Sequence, residues 1–399
     1  MSDRWMRAAL YCMVSGSALV ATAMLARGQM LPTRPGDPLR GITPAEFEEF
    51  RLGLEDFTEV ETVEDGLGPA FNAASCAVCH NVPAIGGISP LLETRAAHRD
   101  ASGEIRALNA AGDTLIHLFS VPTHVCQPTI PEDANVLGRR MPIPLFGAGL
   151  VEAVPDETLL ALEDPFDRNR DGVRGRAAIV VDVATGERRV GRFGWKAQQA
   201  TLLAFGADAY RNEMGITNDL FPQEYAYDVG DEQMRRCDVR HDPEDTRNPA
   251  TGRRGIDNFE AFMRFLAPIP RAIADDAVRD GERIFGAIGC AACHVPALST
   301  GPSANPLFNR RVVPLFSDLL LHDIGTGDGI PQAAAKPEEI RTPALWGLRF
   351  RRPFLHDGSA ATIDDALRRH EREAETARSG FLRLSIEDRA HLLSFLRSL

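Results

Sequence analysis

Lysine is almost missing from this chain: of 44 basic residues only Lys196 and Lys336 are lysines, and the rest are arginines. Acid outweighs base, with 56 Asp and Glu and a formal net charge of −12. That balance excludes a nucleic-acid partner, whose phosphates need a basic surface, and it suits a basic electron-transfer partner. The lysine bias itself carries no functional reading. Beyond the first 26 residues there is no long apolar run, so no later segment is suited to span a bilayer. The remaining composition, 44% hydrophobic and 25% charged over 399 residues, is that of a globular chain of two domains or three small ones.

The apolar exception reads as an export signal over residues 1–26. Arg4 and Arg7 give a positive start, Ala8–Leu25 is apolar, and Ala21, Ala23 and Ala26 offer a small-residue cleavage site. An uncleaved anchor is the other reading; either way the body leaves the cytoplasm, and the periplasm is the expected compartment. Of seven cysteines, Cys12 lies in the signal and four lie in two C-x-x-C-H motifs. Cys126 and Cys237 remain, and an oxidising compartment predicts that they are bridged.

Residues 27–42, rich in Pro, Gly and Arg, read as a linker. Thr43 with Glu46 opens a helix carrying Phe47, Phe50, Leu54 and Phe57. Residues 82–150 read as loops and short elements, Ala177–Val183 as a strand, Lys196 to about Arg211 as helix, and 229–255 as a charged surface loop. Asn258–Leu266 has helical spacing, and Pro268 and Pro270 place a domain boundary after it. Ala272–Ile288, Thr362 to about Ala374, and a segment opened by Ser385 with Asp388 complete a mainly α fold with additional loops and short strands. The expected domains are 43–267 and 268–399. A faint repeat relates them: Phe71 and Phe285 each stand five residues before a C-x-x-C-H, and Arg140-Met141-Pro142 with Leu145-Phe146-Gly147 parallels Arg341-Thr342-Pro343 with Leu345-Trp346-Gly347.

The motifs are Cys76-Ala77-Val78-Cys79-His80 and Cys290-Ala291-Ala292-Cys293-His294. In such a turn both sulfurs reach the vinyl groups of one haem, and the adjacent His reaches its iron. Two copies in an exported chain predict two covalently bound haems c, attached at Cys76, Cys79, Cys290 and Cys293, with His80 and His294 as proximal ligands. What fills each sixth position decides between electron transfer and reaction with a small oxidant. Eight histidines are on offer (His98, His117, His124, His241, His322, His356, His370 and His391), besides Met141, Met214, Met234 and Met263, and spacing does not choose among them.

Three stretches in the last third resemble the C-terminal domain of bacterial di-haem cytochrome c peroxidases and their methylamine-utilisation relatives: Ser317-Asp318 with His322-Asp323-Ile324-Gly325, Arg341-Thr342-Pro343-Ala344-Leu345, and Pro353-Phe354-Leu355-His356-Asp357-Gly358. Over residues 45–399 the chain resembles more closely the di-haem oxidoreductases described as peroxidases or thiol oxidoreductases, through Val82-Pro83-Ala84-Ile85-Gly86-Gly87, Leu145–Ala153, Arg192–Ala197 and Met214-Gly215-Ile216-Thr217. The resemblance implies two cytochrome c-like haem domains. It places a sixth ligand fourteen residues after His356, at His370, a histidine where those families have Met or Tyr. It implies calcium on the main-chain carbonyls of Arg351 and Pro353. The stretch Asp167–Gly172 resembles the start of a calcium loop but reads better as a polar turn, since Ala178 stands where a carboxylate is needed. The N-terminal haem is then the reactive one, with Glu152 as candidate acid/base, His117 as runner-up or ligand, and Trp195 as candidate electron relay. The implied function is reduction of hydrogen peroxide with electrons from a cytochrome or cupredoxin. A pure electron carrier, a di-haem oxygenase or protein-modifying enzyme, and a thiol oxidase are the alternatives.

Overall fold

Thr43 opens the first long helix, α1 (Pro44–Thr58), as its sequence predicts. Its hydroxyl accepts from the Glu46 amide at 3.3 Å, and the Glu46 carboxylate accepts from the Thr43 amide at 2.8 Å. Two donors that a helix start leaves over are thereby satisfied. The computed structural model describes residues 33–108, 114–121, 126, 129–224, 231–237 and 246–399, and Pro35–Leu399 form one compact unit. The expected signal (1–26), His124 and His241 lie outside the described residues. Within the segment read as a linker, Leu39 is buried and its amide donates to the Phe265 carbonyl at 2.7 Å.

Residues 82–150 hold more order than their composition suggests. Strand β1 (Glu93–Arg99) pairs antiparallel with β2 (Val136–Arg140), with Glu93 opposite Arg140 and Ala97 opposite Val136. Two-residue strands at 105–106 and 115–116 complete a four-stranded sheet. A run of Glu-Thr-Arg-Ala-Ala-His-Arg lacks the β-branched alternation that signals a strand; burial of Ala96 and Ala97 and the partner strand hold it extended instead. The predicted strand appears as β3 (Ala178–Val181), paired with β4 (Arg188–Gly191). With 32% helix and 14% strand the fold is mixed, which corrects the mainly α expectation. Sheets of two to four short strands, most of them paired across long connections, occupy stretches whose composition suggests loops.

Helix α2 (Leu202–Met214) starts later than expected, because Thr201 caps it and Ala197 turns the chain at φ 50°. A short helix over Asp231–Cys237 replaces part of the predicted surface loop, and Cys237 is bridged to Cys126 as expected. Helices α3 (Gly255–Phe265), α4 (Asp276–Ala287), α5 (Ile363–Arg368), α6 (Glu375–Arg383) and α7 (Ile386–Ser398) follow. The helix opened by Thr362 stops at Arg368, short of the expected Ala374.

Two helix pairs cross in the same way. At Gly53 of α1 an added Cβ would lie 2.2 Å from the Asn258 carbonyl of α3, and at Gly281 of α4 one would lie 2.0 Å from the His391 carbonyl of α7. Only glycine admits backbones so close. Four residues on, Phe57 and Phe285 each turn a ring inward, and each belongs to a different core cluster. The first cluster also takes Ile269, Phe308 and Trp346 from beyond Pro268, so the side-chain core runs across the boundary drawn from the prolines.

Candidate functional site

Both C-x-x-C-H motifs form tight turns beneath these helices. Ser75 caps Cys76–Cys79 through the Ala77 amide at 3.3 Å. The His80 amide donates to the Cys76 carbonyl at 3.1 Å, and the His294 amide to the Cys290 carbonyl at 3.0 Å. Each histidine therefore sits one turn beyond its first cysteine, on the same wall. Phe57 lies 6.1 Å from the His80 ring and Phe285 lies 6.3 Å from the His294 ring. The aromatic equivalent to Phe285 is thus Phe57; Phe71, its counterpart by sequence spacing, packs instead on Phe119 at 5.8 Å.

Each motif opens on its own cavity. Cys76, Cys79 and His80 line one of about 430 Å³. Cys290, Cys293, His294 and His370 line another of about 310 Å³. Three ring nitrogens are held alike: His80 Nδ1 donates to the Gly87 carbonyl at 2.9 Å, His294 Nδ1 to Phe316 at 3.0 Å and His370 Nδ1 to Ala366 at 2.7 Å. That hydrogen bond sets the tautomer and leaves the Nε2 lone pair for a metal. Burial lowers the pKa of all three, that of His294 to about 4 with His370 adding to the effect, so the rings are neutral. Burial pushes the thiols of Cys76, Cys79 and Cys290 up to about 12, which leaves none of them a thiolate nucleophile near neutral pH. Apolar cavities, paired thiols and neutral imidazoles fit a haem in each.

Trp195 lines both cavities. Its indole N–H donates to the Met141 carbonyl at 2.7 Å, and its ring meets His356 edge-on at 6.1 Å. Arg140 lines the first cavity and Arg341 the second, as their places in the repeat suggest.

Glu152 is elsewhere. Its carboxylate accepts from the Leu202 amide at 2.7 Å, at the start of α2, and lies 3.7 Å from Arg264; it is not among the residues lining either cavity. His117 also stands outside both linings, with Nε2 bonded to the Asn212 carbonyl at 2.8 Å. The carboxyls that line the His80 cavity are Glu93, Asp208 and Glu213, none of which the sequence singles out, and Glu93 and Glu213 form a pair. Arg95 grips Glu93 through two bonds of 2.9 and 3.0 Å, and Asn72 donates to Glu213 at 3.0 Å. Burial and then the neighbouring Glu93 charge raise the Glu213 pKa to about 8, whereas at Glu93 burial is outweighed by Arg95, Arg140 and the hydrogen bond with Glu213 together, which hold it below the usual range. Two carboxyls in contact with opposite shifts make a proton-holding pair. The sequence signal available was Asn72 beside the first motif; nothing in sequence joined it to Glu213.

In the second cavity His322 is clamped by Asp318 at 2.8 Å and Glu373 at 3.0 Å, which outweigh burial and keep it an imidazolium. The calcium expected on the main-chain carbonyls of Arg351 and Pro353 remains an expectation; the Arg351 side chain is a buried guanidinium whose charge reaches Arg341. The oxygen cage that the fold builds is filled by Lys196, whose ammonium meets Asp328 and the carbonyls of Lys336, Pro337 and Glu339 at 2.7–3.2 Å. The Asp167–Gly172 stretch is a polar turn whose Asp167, Asn169 and Asp171 side chains bond within the loop.

The family model described as "Di-haem oxidoreductase, putative peroxidase" matches residues 118–399, which takes in the second motif and most of the chain. The methylamine utilization protein MauG of Methylorubrum extorquens is 30% identical over 160 residues, 38% of this chain and 42% of that protein. Among solved structures, the diheme peroxidase BthA of Burkholderia thailandensis aligns over 92% of this chain and 86% of its own at 16% identity and a TM-score of 0.43. A MauG-like protein associated with microbial copper homeostasis aligns over 70% and 95% at 19% identity and a TM-score of 0.32. These structural likenesses are too loose to bear on activity.

Proposed function

This chain belongs to the di-haem oxidoreductase family, and from that premise we propose that it is an exported, periplasmic enzyme that reduces hydrogen peroxide at a haem on His80 with electrons entering through a haem on His294 and His370. One observation carries the reading: the two cavities share the Trp195 wall but are furnished differently. The second presents, among its histidines, His294 and His370 with Nδ1 alike bonded to a carbonyl, the set for a closed, electron-transferring iron; the first presents His80 and the Glu93–Glu213 pair.

Two haem domains, 43–267 and 268–399, each attach one haem through the cysteines of their motif. Bound there, haem supplies the reversible iron chemistry that takes up electrons and delivers them to an oxidant. The chain's residues do the rest. Hydrogen peroxide, two electrons and two protons give two waters, so the His80 cavity must supply protons. Glu213 holds one at neutral pH, and Glu93, ionised by Arg95, stands ready to take the next. Asn72 keeps the Glu213 carboxyl in place. Trp195 spans the gap between the cavities as electron relay. The electron donor is a small cytochrome or cupredoxin, matched to an acidic surface.

Turnover decides: the holo-protein should oxidise a reduced small cytochrome when peroxide is added, and its oxidised electron paramagnetic resonance spectrum should show one high-spin and one low-spin ferric signal. Two low-spin signals without turnover would instead describe an electron carrier.

A further inference from the structure

The His80 cavity has an apolar rim open to water, and the other cavity does not. Leu91 and Leu118 are each 50% exposed, Phe119 is 53% exposed and Val78 42%, and all four line the His80 cavity. Among the described residues no large apolar side chain that lines the second cavity is exposed; Leu345, Leu348, Phe354, Ile363 and Phe381 are buried there. Ala292 stands in the second motif where the first has Val78. The His80 cavity is also the larger, about 430 against about 310 Å³. The same haem seated in both accounts for neither difference, so the surplus belongs to something that only the first site takes.

The open apolar side chains sit beside the carboxyl pair, and Asn72 joins the two. Its Oδ1 accepts from the Leu118 amide at 2.9 Å while its Nδ2 donates to Glu213 at 3.0 Å. Phe119 faces Phe71 in a two-residue ladder, with the rings 5.8 Å apart, which ties it to the segment leading into the first motif. Leu91 stands two residues before Glu93, the other carboxyl of the pair. Clustered apolar surface left open to water marks a binding site, and here it adjoins a group that can give a proton. Hydrogen peroxide has no apolar part to use it. We propose that the oxidant reduced at this site is an organic hydroperoxide, ROOH, whose hydrocarbon group lies on Leu91, Leu118 and Phe119 and whose peroxide end reaches Glu213. This rests on peroxide reduction at the His80 haem and narrows its substrate. The O–O bond breaks and two electrons arrive from the reduced donor. Glu213 gives one proton to the leaving alkoxide and solvent supplies the second, so that ROH and water leave.

Steady-state turnover of the holo-protein with cumene hydroperoxide and with hydrogen peroxide tests this, beside calorimetric titration of the product alcohol, 2-phenylpropan-2-ol. Cumene hydroperoxide should have the higher kcat/KM, and the alcohol should bind the oxidised wild type. In Phe119→Ser and in Leu118→Ser the ratio of the two kcat/KM values should fall about tenfold, the lower reach of an apolar contact in a pocket. The fall should come through KM rather than kcat, and the alcohol should bind correspondingly more weakly. Ile273→Ser, at an exposed apolar residue outside both linings, should leave the ratio alone. Turnover of hydrogen peroxide but not of cumene hydroperoxide overturns the inference and spares the peroxidase reading, as does a wild type that does not bind the alcohol. Turnover of neither peroxide sinks the peroxidase reading and the inference with it. An unchanged ratio in the rim variants, with a raised KM for the reduced small cytochrome, assigns the apolar rim to the electron donor and overturns the inference. Should Phe119→Ser fail to fold, Leu118→Ser and Leu91→Ser decide.

Discussion

The two cavities start from the same parts and end differently. Each has a helix with glycine and, four residues on, phenylalanine; each has a C-x-x-C-H turn whose histidine donates Nδ1 to a carbonyl; each has an Arg-x-Pro segment on its wall. The second then adds His370 just past α5 and sets the Asp318–His322–Glu373 network beside Cys293, whose Sγ lies 3.7 Å from His322. The first adds Glu93, Arg95 and Glu213 from β1 and α2. On the proposed reading a common frame places the cofactor, and the elements laid over it decide whether the site conducts electrons or also moves protons.

The largest break in that comparison should come from Glu213→Gln, which keeps the shape and removes the acid. Peroxide turnover should fall about 10²- to 10⁴-fold, the usual reach of a general acid, with both optical spectra preserved. Glu152→Gln is the contrast: it weakens a cap of α2 and should cost about 1 kcal/mol of stability with turnover nearly intact. Wild-type activity should decline as pH rises through about 8, where Glu213 loses its proton. Stability moves the same way. The folded pKa lies above the unfolded one, so the folded state binds the proton more tightly, and this group's effect is a loss of stability between about pH 4.5 and 8.

His370→Ala comes next. It should turn the C-terminal haem high-spin and leave the other signal in place, which makes the second cavity resemble the first. A spectrum without change would mean that His370 Nε2 is not a ligand. Trp195→Phe should have a smaller effect, slowing electron passage between the haems in a stopped-flow measurement while both spin states persist. An unchanged rate would leave Trp195 a packing residue held by Met141 and Arg351.

How much of this was legible beforehand follows from how local each feature is. The haem turns, the Thr43 and Ser385 caps and the Cys126–Cys237 bridge are set by a few adjacent residues or by simple elimination, and all were readable. His370 was readable as a position only through the resemblance, and its cavity wall needed α5 to be seen. The Glu93–Glu213 pair was not readable, because it joins a strand without strand-like sequence to a helix 120 residues away. Glu152 was misplaced for a related reason: the repeat predicts spacing along the chain, and here that spacing points the carboxylate at the Leu202 amide. The mixed fold escaped because two-residue ladders leave no periodic trace.

The finest test of the common frame is a pair of single methyl groups. Sequence spacing matched Phe71 to Phe285, but the fold matches Phe57, displaced by an insertion between helix and motif. If α1 and α4 are equivalent supports, Gly53→Ala and Gly281→Ala should act alike, since in each the added Cβ would meet a backbone carbonyl at 2.2 and 2.0 Å. Neither carbonyl can rotate away as a side chain can, so the helices must part, at about 1–3 kcal/mol for overpacking of this kind. Parting the helices also shifts the phenylalanine that leans on the histidine. Gly53→Ala should therefore broaden the spectrum of the N-terminal haem alone, and Gly281→Ala that of the C-terminal haem alone, alongside a lower Tm in both. A lower Tm with neither spectrum disturbed would show that the crossings support the fold but not the haem ligands, and the equivalence would be one of packing only.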